Sequence, residues 1–351
     1  APRPNPKTMN NRLINAIAPT RVCDLGGWTD TWFAGHGAVF NIAVYPYVEV
    51  QIRPVPRLKT GPRVEIAVEN FDESYQIDPE HIAYHKHPLI EAAIDLMKVP
   101  TDCGYRINIF SEAPPGASMG TSAAVSVALV GALAALSQRH LTPHEIARLA
   151  HSIETEKLGM QCGIQDQLAS AYGGISYMTM PAFPHATVSS LQVPNSTWWE
   201  LEHRLALVYI GSPHSSSEVH KKVIADLGSD ASGDPRMVRL RELAAAGKEA
   251  LYAGDFAALG RCMNQNTDVQ RQLHPALVCK AFEDIIAIAQ DFHALGCKVN
   301  GAGGDGGSIT LLTDGDTARK RQMLRALAER GYRPIPLYLS RQGLRVWQPG
   351  A

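Results

Sequence analysis

Apolar and polar positions alternate along Tyr105-Arg-Ile-Asn-Ile-Phe110, the two-residue period of a strand. Beyond it the pattern changes. Residues 123–136 are Ala, Val, Leu and Gly with almost no polar side chain, which predicts a buried helix. Between the two lies Glu112-Ala-Pro-Pro-Gly-Ala-Ser-Met-Gly-Thr-Ser-Ala-Ala124, a loop of small residues entering a helix. Such a loop brings several backbone N–H groups to one point, and the helix N-terminus adds roughly half a positive charge. Together they suit an anion, most commonly phosphate. The same residues equally suit a plain strand-to-helix turn with Thr121 and Ser122 as helix starters.

The rest of the pattern arranges strands and helices around this loop. Asn15-Ala-Ile-Ala18 closes a first strand. A polar turn follows, with Gly26 and Gly27 flanked by Arg21, Asp24, Trp28 and Asp30. Residues 37–44 and 48–52 make a strand pair about Tyr45-Pro46, and 64–68 a further strand. Pro88 ahead of Leu-Ile-Glu-Ala-Ala-Ile-Asp-Leu-Met97 fits an amphipathic helix with proline in its first turn. Thr142-Pro-His-Glu145 is a capping-box start to a helix reaching Lys157. Residues 164–171 form a short helix with Asp166 in its first turn, and 172–178 turn back into a strand.

Prolines at 181, 184 and 194 place a domain boundary in that region. The expected units are an arm over 1–11, a first domain over 12–185 and a second over 186–351. The second begins with a strand at 205–210. A polar turn at 211–218 then caps a helix. Helices over 236–252, 255–270 and 275–294 lead to a second glycine cluster, Gly301-Ala-Gly-Gly-Asp-Gly-Gly307. A strand at 308–312, a helix at 316–330 and a closing strand at 334–339 complete the chain.

Composition narrows the function. The chain has 351 residues, is 45% hydrophobic and carries a formal net charge of −1. That charge argues against nucleic-acid binding, which needs a basic field. No apolar run reaches the roughly 18 residues of a membrane span, and the Pro- and Asn-rich start has no signal-peptide pattern. Six cysteines stand at 23, 103, 162, 262, 279 and 297, none in a C-x-x-C pair. They fit reduced thiols in a cytoplasm better than zinc or disulfides. His81, His85 and His87 fit a solvated loop better than a metal site.

The first glycine loop is neither G-x-x-x-x-G-K-[ST] nor G-x-G-x-x-G. A phosphate there relies on backbone donors, the helix end and hydroxyls. Phosphoryl transfer further needs a metal, a carboxylate beside the attacking hydroxyl, and positive charge at the centre. Glu154 and Ser122 supply oxygen ligands suited to Mg²⁺. Asp166, beside glycines and inside an apolar stretch, is the carboxylate. Read alone, Asp166 also fits a helix N-terminal charge, and Glu154 or Glu156 a solvated helix face.

Taken together, these residues resemble the GHMP small-molecule kinases. Pro115-Gly-Ala-Ser-Met-Gly-Thr-Ser-Ala123 is similar to the family's P-x-G-x-G-L-S-S-S-A phosphate loop, with Ser118 where a glycine is common. Gly301 to Gly307 resembles the third motif, and Ala18-Pro-Thr-Arg-Val matches the start of the first. Met160-Gln-Cys-Gly-Ile-Gln-Asp-Gln167 is close to the galactokinase segment that carries the catalytic aspartate. Galactokinases read G-E-H-T-D where this chain has Gly26-Gly-Trp-Thr-Asp30. That form resembles L-fucokinases, and His87-Pro-Leu-Ile resembles the heptose-kinase group.

The resemblance implies an ATP- and Mg²⁺-dependent sugar kinase that phosphorylates a sugar hydroxyl, the anomeric 1-OH of a hexose, 6-deoxyhexose or heptose. It puts catalysis on Asp166 and Arg21. ATP lies along Pro115, Gly116, Ala117, Ser118, Met119, Gly120, Thr121 and Ser122. The metal is held by Ser122 and Glu154. The sugar meets Trp28, Thr29, Asp30, His36, Gly163, Gly304 and Asp305. The implied fold is α+β in two domains, ribosomal-S5-like then ferredoxin-like, with the site between them, in a cytoplasmic monomer or homodimer with no nucleic-acid or membrane partner. Two rivals are an isoprenoid-pathway kinase of the same superfamily and a sugar- and ATP-binding regulator without catalysis.

Overall fold

A computed structural model describes residues 13–56, 61–211 and 216–350. The arm expected over 1–11 lies outside these residues, as does part of the turn expected at 211–218. Two sheets divide the chain. The first strand, β1 (Ile14–Leu25), is longer than expected and carries the polar residues Arg21 and Asp24 within it. Its antiparallel partner β2 (Gly37–Val55) is one strand of 19 residues, where the sequence suggested a pair. The pairing shifts register between Pro19 and Thr20, so that Tyr45 and Pro46 bulge out. A bulge is where a strand tolerates proline, which has no N–H to give the ladder. The Thr20 hydroxyl donates to the Pro46 carbonyl at 2.8 Å and closes the irregularity.

The length of β2 organises the first sheet. Along its first half it pairs β6 (Ile175–Ala182), and along its second half β5 (Gly104–Ser111). Beyond β5 lie β3 (Val64–Val68), parallel to it, and β4 (Glu73–Ile77). Strand β4 arises in a stretch whose polarity suggested only loop. Helices α1 (Pro88–Met97), α2 (Thr121–Leu136), α3 (Pro143–Ser152) and α4 (Gln165–Tyr172) accompany this sheet. Helix α2 buries eleven residues around its circumference, as its uncharged sequence requires. The predicted capping box of α3 is formed, with Thr142 and Glu145 each serving the other's backbone N–H.

The expected boundary at 185 falls inside a hairpin, because β7 (His185–Ser190) pairs β6 and extends the first sheet. Pro184 sits between these strands, where a turn proline looks in sequence like a linker proline. Helix α5 (Asn195–Arg204) then leads to the second sheet, in the order β11 (Arg333–Ile335), β8 (Leu205–Tyr209), β10 (Ser308–Leu312), β9 (Gly296–Val299). Helices α6 (Ser216–Leu227), α7 (Pro235–Tyr252), α8 (Phe256–Leu273), α9 (Lys280–Asp291) and α10 (Thr317–Glu329) complete this half. The closing strand expected at 334–339 is split around Pro336. Its first part joins the second sheet. Its second, β12 (Tyr338–Leu339), returns to β2, and β13 (Arg345–Trp347) then pairs β1.

The architecture is α+β in two domains, each built on one sheet. The halves do not pack as separate bodies. Val22, Cys23, Leu25, Trp28, Phe33 and Phe40 of the first half belong to the same buried cluster as the second sheet and its helices. The end of β1 is therefore fixed from both sides. Among the described residues, no helix is long and apolar enough to cross a membrane. All six cysteines are free thiols.

Candidate active site

Where β1 ends, the chain turns sharply over Gly26–Asp30. Gly26 has φ +80°, and a Cβ there would meet the Ala38 carbonyl at 2.1 Å. Its N–H donates to Asn266 Oδ1 on α8 at 2.9 Å. The Thr29 hydroxyl is spent within the turn, on the Gly26 carbonyl at 2.7 Å and on the Ala38 backbone. Thr29 thus shapes the turn, while Trp28 and Asp30 line a cleft of 340 Å³ between the domains. His36 is exposed and outside this lining; its carbonyl is held by Arg241.

The phosphate-loop candidate forms one wall of the same cleft, from Gly116 to Ala123. Gly116, Ser118 and Gly120 all have positive φ, which bends the loop. Its carbonyls are held from the protein side. Tyr209 donates to Pro115 O at 3.2 Å and Ser308 to Ala117 O at 2.6 Å. Arg21 reaches Ser118 O through Nη1 at 2.5 Å and Met119 O through its backbone N–H at 2.9 Å. Both domains therefore shape the loop. Helix α2 opens at Thr121 with free N–H groups, and the buried Thr121 hydroxyl has no partner in the protein. An orphaned donor at a helix N-terminus fits a phosphate oxygen.

Asp166 stands in the first turn of α4, facing this loop. Arg21 grips it through both oxygens, Nε to Oδ1 at 2.8 Å and Nη2 to Oδ2 at 3.0 Å. Burial disfavours the guanidinium charge, but Asp166, Asp24 and Asp30 outweigh it and raise the Arg21 pKa. At Gly120 a Cβ would come within 3.1 Å of the Asp166 carboxyl, so the loop packs tightly against Asp166.

Glu154 reaches the cleft by an irregularity. Helix α3 widens into a π-turn at Ile153–Lys157, a device common at functional sites. Glu154 is 5% exposed and accepts from Gln167 Nε2 at 2.8 Å. Burial, with the nearby Asp166 charge, pushes its pKa up to about 7. Its oxygens are of the kind Mg²⁺ takes as ligands, and Ser122 lines the same cleft. Asp30 accepts from the Gln165 N–H at 3.1 Å and from Gln165 Nε2 at 3.3 Å. Burial, then repulsion from Asp166, pushes it up to about 6.

The second glycine cluster meets the cleft through Gly301 and Ala302. Gly304 and Asp305 are not part of the lining; the Gly304 N–H donates to Leu277 O. The cluster is anchored by residues that motif matching passed over. Gly301 N–H donates to both oxygens of Asp24, at 3.1 and 3.2 Å. Asp24 pairs with Lys298 at 3.2 Å, both almost wholly buried. Burial opposes the Asp24 charge, but Lys298 and Arg21 prevail and lower its pKa; burial lowers that of Lys298. A lysine in the otherwise apolar strand β9 was the available sequence signal. Gln165 and Gln167, flanking Asp166, were also passed over. The loop histidines His81 and His87 lie elsewhere, each against one carboxylate, Asp78 and Glu73.

Residues 88–174 match the GHMP kinases N terminal domain, and residues 248–333 match GHMP kinases C terminal. The mevalonate kinase of Thermococcus sibiricus is 29% identical over 284 residues, 79% of this chain and 78% of that protein. The D-glycero-alpha-D-manno-heptose 7-phosphate kinase of Campylobacter jejuni is 27% identical, covering 72% of this chain and 73% of that one. The bifunctional fucokinase/GDP-fucose pyrophosphorylase of Arabidopsis thaliana is 28% identical over 91% of this chain and 32% of its own length. A crystal structure of a D-glycero-D-manno-heptose 1-phosphate kinase from Bacteroides thetaiotaomicron shares the fold at a TM-score of 0.75 and 23% identity, covering 96% of this chain and all of that one. With both family domains in order around one cleft, the chain belongs to the GHMP kinases, and it is a phosphotransferase with an alcohol group as acceptor.

Proposed function

We propose that this protein transfers the γ-phosphate of ATP to a sugar hydroxyl, the anomeric 1-OH of a hexose, 6-deoxyhexose or heptose. The observation that carries this reading is the convergence of Arg21, Asp30, the 116–122 loop, Glu154 and Asp166 on one cleft. In this reading the triphosphate lies along the loop, against the N-terminus of α2. Ser122 and Glu154 would hold Mg²⁺, which when bound neutralises phosphate charge. Asp166 accepts the proton of the attacking hydroxyl, and Arg21 fixes the orientation of Asp166 and offsets charge at the centre. Asp30, set by Gln165, orients the sugar together with Trp28 and the backbone of Gly163.

The similarity to a mevalonate kinase supports a second reading, an isoprenoid-pathway kinase. The polar turn Gly26–Asp30 favours a polyol instead, since hydroxyls are recognised by carboxylates and hydrogen-bonding groups. A cytoplasmic location is part of the proposal, and six free thiols agree with it. The test is ADP release with ATP and Mg²⁺ across L-fucose, D-mannose, D-galactose, L-arabinose, heptoses and mevalonate. Locating the new phosphate by NMR then follows. Sugar-dependent ADP release with phosphate on C1 is the expected result; turnover of mevalonate alone would replace the sugar reading by the second one.

A further inference from the structure

Resting on the sugar-kinase reading, the inventory of donors and acceptors in the cleft says which sugars fit. Four carboxylates line it: Asp24, Asp30, Glu154 and Asp166. Against them stands one cation among the described lining residues, Arg21, whose nitrogens are engaged by Asp166 and Ser118. Lys298, paired with Asp24 behind the lining, is committed to it and to the Val299 carbonyl.

The two glutamines beside Asp166 extend the same bias. Gln165 turns its amide N–H toward Asp30, and Gln167 turns its own toward Glu154. Each thereby points a carbonyl oxygen elsewhere, and both of these buried oxygens lack a partner in the protein. Gln165 is 6% exposed and Gln167 1%, and both line the cleft. A buried acceptor left unpaired is costly, so these oxygens call for donors from the bound ligand. A hydroxyl is such a donor, whereas a carboxylate or phosphate offers only acceptors.

We propose that the acceptor site takes an uncharged polyol, a sugar bearing neither carboxylate nor phosphate, and that Gln165 Oε1 accepts one of its hydroxyl protons. Asp24 and Asp166 are paired with Lys298 and Arg21, so Asp30, in no ion pair among the described residues, and the unpaired Gln165 oxygen are what select for this class. An anionic sugar would add like charge beside Asp30, whose own partners are the Gln165 N–H and Nε2. Trp28 and Met160, also in the lining, give the C–H faces of a sugar an apolar surface. The site thus departs from what a sugar-phosphate or mevalonate acceptor needs.

Matched pairs test this: D-galactose against D-galacturonate, and D-glycero-D-manno-heptose against its 7-phosphate, with mevalonate alongside. Turnover and calorimetric binding are measured for each with wild type and Gln165→Met. The neutral member of any pair that is used should exceed its anionic twin in kcat/KM by at least about a hundredfold, as expected when buried groups are left unmatched. Gln165→Met should raise the KM for that sugar at least tenfold and leave the KM for ATP within about twofold. A preferred sugar phosphate or uronate would overturn the inference while leaving the sugar kinase intact. An unchanged sugar KM in Gln165→Met would overturn the role of Gln165. Turnover or binding confined to mevalonate, or to no sugar at all, would overturn the sugar-kinase reading and this inference with it.

Discussion

The guanidinium of Arg21 lies along the carboxylate of Asp166, with nitrogen–oxygen distances of 2.8 and 3.0 Å, while its third nitrogen holds the Ser118 carbonyl. One side chain from β1 therefore sets both the proposed base and the curve of the phosphate loop. Lysine keeps the charge and cannot reproduce this fork. Arg21→Lys should lower kcat by at least about tenfold with a smaller change in stability. Steady-state kinetics beside urea unfolding would check it; unchanged kcat would reduce Arg21 to a structural tie.

Asp30 sits so close to Gly163 that a Cβ on Gly163 would stand 1.8 Å from Oδ2. Only the carboxylate or the 160–163 loop can yield. Gly163→Ala should therefore raise the KM for the sugar by about tenfold or more, with the KM for ATP nearly unchanged. Equal shifts in both would place the disturbance in the whole cleft.

Lys298 and Asp24 tie the second glycine cluster to the end of β1 from within the core. Lys298→Met strands a buried carboxylate and should cost about 3–5 kcal/mol of stability. Adding Asp24→Asn should recover part of that loss, because no unpaired charge remains. Chemical denaturation of the two single variants and the double variant closes the cycle. Additive losses would mean that the pair does not interact.

Glu154 and Asp30 have folded pKa values of about 7 and about 6, above the ordinary 4.5 and 3.8. Between the ordinary and the raised values the folded protein therefore keeps protons that the unfolded chain has lost, and the stability these two groups lend below that window is gone once pH has risen through about 6 and about 7. Activity runs the other way, since protonated Glu154 cannot ligate a metal and protonated Asp30 is a poorer acceptor. kcat/KM should fall as pH drops through this window, and more Mg²⁺ should move this acid limb to lower pH. A pH profile indifferent to Mg²⁺ would take Glu154 out of the metal's shell.

Much of this site was legible because its chemistry sits in local patterns. The small-residue loop before α2, the turn at Gly26–Asp30 and the Asp166 segment each announce themselves over a few residues, and the structure brings them to one cleft. Long-range pairing was not legible. Whether β2 breaks at Tyr45-Pro46 depends on Thr20 across the sheet. Whether residues 185–190 form a linker or a strand depends on β6. The second glycine cluster was expected to present Gly304 and Asp305. Instead Asp24, 277 residues away in sequence, draws Gly301 to the cleft. Gln165 and Gln167 escaped notice because a glutamine acquires meaning only from what its two amide atoms face.

The account rests most heavily on Asp166 as the group that receives the acceptor's proton. General-base assistance of this kind contributes about 10²–10⁴-fold. Turnover and ATP affinity of Asp166→Asn, measured on the same folded preparation, test it directly. The account predicts that kcat falls at least about a hundredfold while the Kd for ATP changes little. Wild-type turnover in that variant would contradict it.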